Sequence, residues 1–453
     1  MKMPTDVNNK DALEFNSTFS YAFDLLENSR LHIFITGKAG TGKSTLLKYF
    51  RQSTVKNVAV VAPTGVAAIN VQGQTIHSFF GFKPDITPET VETLRVAKAK
   101  RELYQNLDTL VIDEISMVRA DLLDCIDQFL RIYGRDASAP FGGVQMAFFG
   151  DLFQLPPVVN YSDRELFQYH YQSPYFFHSH VFQRIQNDVQ YESFECVELS
   201  KVYRQTDKSF IDILNGIRDA SIDSEKLNEL NERCQAQVAQ DGEFLVYLTT
   251  TNKTADVLNE KCLKELSGEP WVCEGTVDGL FDRRNLPTHQ QLELKVGAQV
   301  MLLNNDPMGR WINGSLGKVL SFYGDDSDAA IRVELSTGSI VNVKSFTWEM
   351  FRFYYDQKDA RLKSESIGAF VQFPLKLAWA VTIHKSQGKT FDRVVVDLEG
   401  GAFAHGQAYV ALTRCRTLEG LFLKQPVRKR DIIVDPHILD FTTSYQLVSK
   451  EEG

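Results

Sequence analysis

Apolar positions follow two rhythms along this chain, and the rhythms alternate. Between 11 and 30, Leu13, Phe15, Phe19, Ala22, Phe23 and Leu26 recur near helical spacing and predict a helix closed by Asn28-Ser29. Short continuous apolar runs follow, each bounded by turn residues: Leu31 to Ile35, Asn57 to Ala62, Asn106 to Ser116 and Val144 to Phe149. Such runs predict buried strands. Helical patterns lie between them, from Thr45, from Val66 to Asn70 and from about Ala120 to Tyr133, while Lys83 to Leu103 is polar and basic. Strand and helix in alternation predict a doubly wound parallel sheet, with ligands beyond the strand C-termini.

A second unit begins near Glu192. It contains Val197-Glu198-Leu199, a helix over Phe210 to Arg218, a strand over Phe244 to Thr250 and a helix opened by Thr251 to Ala255. The pattern then changes. Gln299 to Leu303, Gly317 to Phe322, Ala330 to Leu335 and Ile340 to Val343 are short β-like runs, punctuated by Gly324-Asp325-Asp326 and Thr337-Gly338. They predict a small antiparallel barrel. The α/β pattern returns with Leu377 to Ile383, a helix from about His384, a strand over Arg393 to Leu398 and a helix from Ala404. The barrel therefore reads as an insertion into the second α/β unit.

Composition narrows the class. A chain of 453 residues is too long for one core, so two to four domains are expected. No apolar run is long enough for a bilayer, and the first residues lack the apolar centre of a secretory signal. Six cysteines without a C-x-x-C pair read as reduced thiols, and the expected location is cytoplasmic, or nucleoid-associated if the source is bacterial. His178 and His180 lack further ligands at metal spacing and read as packing or surface. A net charge of −9 argues against coating nucleic acid by bulk electrostatics, so any such interaction must rest on local sites.

The chemistry starts where the first strand ends. Gly37-Lys38-Ala39-Gly40-Thr41-Gly42-Lys43-Ser44 matches the phosphate-binding P-loop between a strand and a helix. Glycines let backbone amides close around phosphate oxygens, and the helix N-terminus adds its positive end. Lys43 would reach the β- and γ-phosphates, and Ser44 would ligate Mg²⁺. Asp113-Glu114 ends the third strand: Asp113 would hold Mg²⁺ through water, and Glu114 would polarise the attacking water. Gln154, in Gly150-Asp151-Leu152-Phe153-Gln154-Leu155-Pro156-Pro157, either senses the γ-phosphate or belongs to a rigid polar turn. Arg204 and Arg414 lie far downstream, and both are expected from the second α/β unit as stabilisers of phosphoryl charge. The aromatic stretch from Tyr161 to Phe182 admits base stacking or a packed connection between domains.

In order, GKAGTGKS, APTGVAA, TIHSFFG, IDEIS, FFGDLFQLPP, KVYRQ, AVTIHKSQGKTFD and AYVALTRCR resemble the motifs of superfamily 1 helicases of the 5′-to-3′ branch. The stretch from Leu122 to Gln145, ending in Phe141-Gly142-Gly143-Val144-Gln145, resembles the signature of the Pif-type helicases, and the likeness runs from about Leu31 to Leu423. It is similar to the compact bacterial or phage-type members. The resemblance implies an ATP-dependent DNA helicase of α/β class with two RecA-like P-loop domains. On that reading 1–190 forms the first, with a small wedge within about 65–95; 191–294 and 370–453 form the second; 295–369 forms an SH3-like barrel inserted in it.

The resemblance also implies roles for residues by position. Gly37, Ala39, Gly40, Thr41, Gly42, Lys43, Ser44, Thr45 and Gly388 would bind ATP, with Mg²⁺ at Ser44 and Asp113. Lys43, Asp113, Glu114, Gln154, Arg204 and Arg414 would serve hydrolysis. Pro63, Thr64, Gly65, His77, His384, Lys385 and Ser386 would line a track for single-stranded DNA. Phe79, Phe153 or Trp379 would stack bases or fill core. Implied partners are single-stranded and forked or structured DNA, with no membrane, and a monomeric protein; implied settings are replication, repair and telomere maintenance. One departure stands out: residues 11 to 36 lack the glutamine that such helicases use for adenine, leaving Asn16 or backbone groups to substitute. Two other readings keep the P-loop: a nucleotide-dependent DNA-binding switch or scaffold that does not translocate, and a small-molecule kinase.

Overall fold

Six short strands, the central ones mostly apolar, build the first half: β1 (His32–Gly37), β2 (Val58–Ala62), β3 (Gln74–Thr75), β4 (Thr109–Ile112), β5 (Gln145–Phe149) and β6 (Phe194–Leu199). They form one parallel sheet in the order β3-β2-β4-β5-β1-β6. The computed structural model describes residues 16–160, 163, 167, 169–187, 194–201, 204–205, 207–234, 236, 244–283, 286–324 and 328–445. One face of the sheet is covered by helices Ser17–Asn28 and Lys43–Ser53, which bury Phe19, Leu26, Leu46, Leu47 and Phe50 against Ile33, Ile35, Val60 and Val111. Leu13 and Phe15, expected on the first helix, lie outside the described residues. The other face carries helix Ala120–Tyr133 and belongs to a core that continues into the second half.

β6 corrects the expected boundary at 190. It pairs along the whole of β1, from His32↔Phe194 to Gly37↔Leu199, and buries Val197 and Leu199 under the first helix. Without it β1 would be an open edge; the first sheet therefore extends to Leu199. The span expected for a wedge contains helices Gly65–Asn70, Ile76–Phe80 and Pro88–Val91, while β3 stays on the edge of the first sheet.

The Phe141-Gly142-Gly143 turn is fixed by acids of the preceding helix. Asp127 accepts the Phe141 amide at 2.6 Å and the Arg131 Nε–H at 2.8 Å. Gly142 has φ 63°, and a Cβ there would collide with the Leu130 carbonyl. Asp124 accepts the His180 and Val181 amides at 3.0 and 2.9 Å, satisfying the start of helix His180–Asn187.

The second half begins its parallel sheet with β7 (Val246–Thr249), and a large β insertion follows. This contains β8 (Trp271–Glu274), β9 (Thr276–Gly279), β10 (Gln291–Leu294), β11 (Gln299–Leu302), β12 (Leu316–Tyr323), β13 (Ala330–Leu335), β14 (Ile340–Lys344), β15 (Phe346–Asp356), β16 (Arg361–Gln372) and β17 (Leu375–Leu377). The parallel sheet resumes with β18 (Ala380–Thr382), β19 (Val394–Asp397) and β20 (Leu421–Leu423), in the order β18-β7-β19-β20. Within the insertion, β14-β13-β12-β11-β17 is antiparallel throughout and closes on Leu292, Val300, Leu302, Val319, Ile331, Val333 and Leu375. Because β17 pairs with β11 and β9 pairs with β16, the insertion runs from 271 to 377, wider than the expected 295–369.

Two connections away from the phosphate loop help to tie the halves together. The β15–β16 hairpin crosses to the first half, where the Phe353 amide donates to Gln74 Oε1 at 3.1 Å and the Leu362 amide to Asn57 Oδ1 at 2.9 Å. The Phe353 ring stands edge-on to Phe79 at 6.0 Å. At the other end of the chain, helix Pro436–Ser444 lays Phe441 on Phe177, with centroids 4.3 Å apart, beside Phe176 and Phe182. Tyr175, Phe176, Phe177 and Phe182 are thus buried packing, whereas Tyr169 is exposed; Tyr161 lies outside the described residues. Among the described residues no helix is long and apolar enough to cross a membrane.

Phe441 is the test of this closure. Phe441→Ala should cost about 3 kcal/mol in urea unfolding, and Phe441→Leu less than half of that. An Ala variant as stable as the parent would show that the helix contributes no packing energy.

Candidate active site

The phosphate loop takes its shape from three glycines. Gly37, Gly40 and Gly42 have φ of 149°, 85° and 91°, values that side-chain-bearing residues rarely adopt. Gly42 leaves helix Lys43–Ser53 without a side-chain cap, so its first amides remain available to an anion. Lys43 Nζ donates to the Gly37 and Lys38 carbonyls at 2.6 and 3.0 Å, and Thr41 Oγ1 donates to Lys38 O at 3.0 Å. Ser44 and Thr45 are exposed at the mouth. The Ala39 amide donates to Tyr409 Oη, 3.4 Å away, from the second half. Burial pushes the Lys43 ammonium down, against the pull of Asp151 and Glu114.

Asp113 and Glu114 leave the end of β4. The Asp113 amide extends the sheet ladder to Val61 O at 2.9 Å. Glu114 then turns into the left-handed region, with φ 52° and ψ 45°, a strained conformation for a glutamate. Burial first, then the Glu114 charge, raises the Asp113 carboxyl to about 7. Burial also raises Glu114, with Lys43 opposing. Asp151, at the end of β5, accepts Gln154 Nε2–H at 3.1 Å and the Phe153 amide at 3.2 Å.

Arginines close the other side. Arg204 lies just past β6, on the stretch that leads out of the first sheet. A Cβ on Gly40 would lie 2.5 Å from the Arg204 Cβ. Its guanidinium reaches over to the second half, to Thr413 O and Gly388 O, each at 3.4 Å. Val202 and Tyr203 of the same motif lie outside the described residues. Arg414 is 1% exposed and donates to Val410 O, Ser386 O and Lys389 O at 2.9, 3.3 and 3.2 Å, and to Thr413 Oγ1 at 2.9 Å. Burial, then the Arg204 charge, brings its guanidinium down to about 9. Gln154 spans the halves directly, its Oε1 accepting Gln387 Nε2–H at 3.3 Å.

The sequence offered no signal for Arg218, Tyr409 or His405. Arg218, the last residue of helix Lys208–Arg218, sets its guanidinium 4.0 Å from the Phe153 ring centroid and 3.4 Å from Asp151 Oδ1, and its Nε is buried without a partner. Phe153 is therefore a platform for Arg218 rather than for a base. His405 Nδ1 accepts the Asp435 amide at 3.0 Å, so its Nε2–H donates to Leu152 O at 2.8 Å, beneath the Gln154 turn. Lys43, Asp113, Glu114, Asp151, Arg204, Arg218 and Arg414 all face one cleft, close enough for their charges to act on one another. Free loop amides, an ammonium, an exposed hydroxyl and a buried carboxylate form a donor set that fits a nucleoside triphosphate with Mg²⁺. The adenine end is less defined: Asn16 Oδ1 accepts the Phe19 amide at 2.7 Å and caps the first helix.

The expected DNA residues occupy equivalent places in the two sheets. Pro63, Thr64 and Gly65 follow β2; Thr64 Oγ1 accepts the Ala67 amide at 3.2 Å and caps helix Gly65–Asn70. His77 is half-buried, and burial followed by the Arg119 charge lowers its pKa. His384 and Lys385 follow β18 and are exposed. Ser386 departs from expectation: it is 0% exposed, and its hydroxyl donates to Ile383 O at 2.7 Å, so it cannot grip a strand. Phe79 is buried in the core and Trp379 is half-buried.

Comparison with known proteins agrees with this geometry. Residues 16–228 match the family model described as PIF1-like helicase, and residues 281–322 match the one described as DNA helicase Pif1, 2B domain. The chain is 33% identical over 447 residues to the ATP-dependent DNA helicase Pif1 of Bdellovibrio bacteriovorus, covering 96% of this chain and 93% of that protein. It is 36% identical over 424 residues to the human ATP-dependent DNA helicase PIF1, covering 90% of this chain but 60% of that longer protein. The crystal structure of Bacteroides sp Pif1 in complex with ADP-AlF4 superposes with a TM-score of 0.85 at 37% identity, covering 95% of this chain and 97% of that one. With ADP-AlF3 and single-stranded DNA bound, the Bacteroides protein gives a TM-score of 0.67 at 38% identity and the same coverage.

Two measurements follow from the cleft. Lys43→Ala should lower nucleotide hydrolysis by at least about a thousandfold without unfolding the protein, because it removes charge aimed at the phosphates. Turnover near the parental rate would contradict the assignment. The second concerns Asp113, whose folded pKa is about 7 against 3.8 as a reference. The folded state therefore holds a proton that the unfolded chain has released, and the stabilisation this gives below the reference value is lost as pH rises through the folded one. The nucleotide-free protein should melt several degrees lower at alkaline than at mildly acidic pH, and Asp113→Asn should flatten that slope. An unchanged slope in the variant would exclude Asp113 as its source.

Proposed function

Because the chain belongs to the PIF1-like helicase family, we propose that it is an ATP-dependent DNA helicase moving 5′ to 3′ on single-stranded DNA. The observation that carries this is the set of bonds across the cleft. Gln154 meets Gln387, Arg204 reaches Thr413 and Gly388, and the Ala39 amide meets Tyr409, so groups set for phosphates are also the hinge contacts of two RecA-like domains. The first domain runs through β6 to about 205, the second comprises about 206–270 and 378–445, and residues 271–377 form an SH3-like insertion.

Mg²⁺ held by Ser44 and Asp113 would neutralise charge on the β- and γ-phosphates. Lys43 then exchanges the Gly37 and Lys38 carbonyls for phosphate oxygens. Glu114, held in its strained turn, orients and polarises the attacking water. Gln154 bonds that water or the γ-phosphate, and Arg204 and Arg414 stabilise the charge that develops as the phosphoryl group transfers. Arg218 positions Asp151 and Phe153 behind Gln154. Loss of the γ-phosphate weakens contacts from both domains at once, which couples hydrolysis to opening.

Single-stranded and forked DNA are the partners. Pro63, Thr64, Gly65 and His77 on one domain and His384 and Lys385 on the other hold the backbone without reading bases. The Bacteroides relative, solved with ADP-AlF3 and single-stranded DNA, supports both ligands. The protein acts as a monomer, with both domains of the cleft on one chain.

The decisive assay compares duplexes with a 5′ or a 3′ single-stranded tail. The 5′-tailed substrate should unwind in an ATP-dependent manner, and preference for the 3′ tail would refute the polarity. Arg414→Ala should abolish unwinding while leaving strand binding measurable; unwinding that survived would favour a nucleotide-dependent scaffold.

A further inference from the structure

Three lysines meet where the β insertion rejoins the second parallel sheet. Lys376 is the middle residue of β17 and pairs with Met301 of β11. Met301 belongs to the core shared with the parallel sheets, whereas Leu375 beside it packs into the core of the insertion. Cross-strand partners share a face. Lys376 therefore points out of the insertion and into the junction, where Lys389 and Lys385 lie close enough for their charges to act on it.

The junction is built rather than incidental. Lys389 Nζ donates to Asn313 Oδ1 at 2.9 Å, and a Cβ on Gly314 would be 3.4 Å from the Lys389 Cβ and Cγ. The loop before β12 is thus fastened over the turn that carries Lys385. Among the described residues the Lys376 ammonium has no hydrogen bond or ion pair. Three cations thus meet at the junction.

We propose that Lys376, Lys389 and Lys385 form a subsite for one internucleotide phosphate of single-stranded DNA, placed between the second RecA-like domain and its insertion. The proposal rests on the helicase reading above and adds two residues, Lys376 and Lys389, to its track. Lys385 and its neighbour His384 are exposed at the same turn, which gives a strand entry to the subsite. Burial and the two neighbouring cations hold Lys376 well below the usual lysine range, and burial holds Lys389 at about 8. A phosphate would relieve both effects.

The test measures oligothymidylate affinity of the full chain as a function of salt. Each phosphate contact on a single strand contributes about 0.7 to the slope of log K against log salt. Lys376→Gln should reduce the slope by about that amount and weaken binding roughly tenfold, while Lys376→Arg keeps both near the parental values. Without DNA, Lys376→Gln should melt no lower than the parent, since it removes an unpaired charge; a purely structural lysine would lower the melting temperature. Should that variant fail to fold, Lys389→Gln gives the same slope readout. Amine acetylation adds an independent arm: oligothymidylate should protect Lys376. Equal protection by sodium phosphate at matched ionic strength would assign the subsite to free phosphate and overturn the proposal, as would an unchanged slope in a variant that binds. If the parent itself binds no oligothymidylate, the helicase reading fails first.

Discussion

The cleft between the two halves buries more charge than it pairs. Arg414 sits at 1% exposure, bonded to carbonyls and a hydroxyl but to no carboxylate. Asp113 and Glu114 are desolvated side by side, with Lys43 bonded to loop carbonyls instead of to either of them. Arg218 leaves a buried Nε without an acceptor. Unpaired buried charge disfavours the closed cleft. Something else must hold the halves in place, and the rest of the architecture does so.

Two apolar contacts that lie away from the cleft contribute to this holding, beside the core the halves share. Phe441 stacks on Phe177, and Phe353 stands against Phe79. One belongs to the C-terminal helix and the other to a hairpin of the insertion. The first buries its ring in a cluster of aromatics; the second comes with main-chain amides of the hairpin that donate to Gln74 Oε1 and Asn57 Oδ1. Apolar packing tolerates small rotations better than a bidentate ion pair, because it is not directional. The halves are therefore tethered by contacts that allow motion, while the directional groups are kept for the ligand.

What could be read from the sequence follows the range of the forces involved. The phosphate loop, Asp113-Glu114 and the parallel strands were legible because each is specified within about ten neighbouring residues. The placement of Phe194–Leu199 was not, since pairing with β1 is a choice among sheet edges that no local pattern encodes. The insertion shows in its β-like runs, yet its bounds do not: Trp271–Glu274 lies between turn-forming and polar residues, and Leu375–Leu377 is only three residues long. Phe346–Asp356 escapes period-two patterning because a bulge between Met350 and Phe351 breaks the alternation. Ser386 was assigned by motif position, and only packing shows its hydroxyl turned inward to Ile383. Arg218 carries no motif at all; its role comes from where a helix happens to end.

The bond between the Ala39 amide and Tyr409 Oη gives the cleft its economy of motion. That amide belongs to the phosphate loop, and the hydroxyl belongs to the helix that leads to Arg414. A phosphate oxygen that takes the amide must displace the hydroxyl, because one N–H cannot serve two acceptors at full strength. Tyr409 is buried on helix Gln407–Leu412, so the loop and that helix share this contact. Arg414 lies five residues further along and is bonded to that helix through Val410 O. The phosphate loop and the helix that leads to Arg414 thus touch directly, without a path through either core.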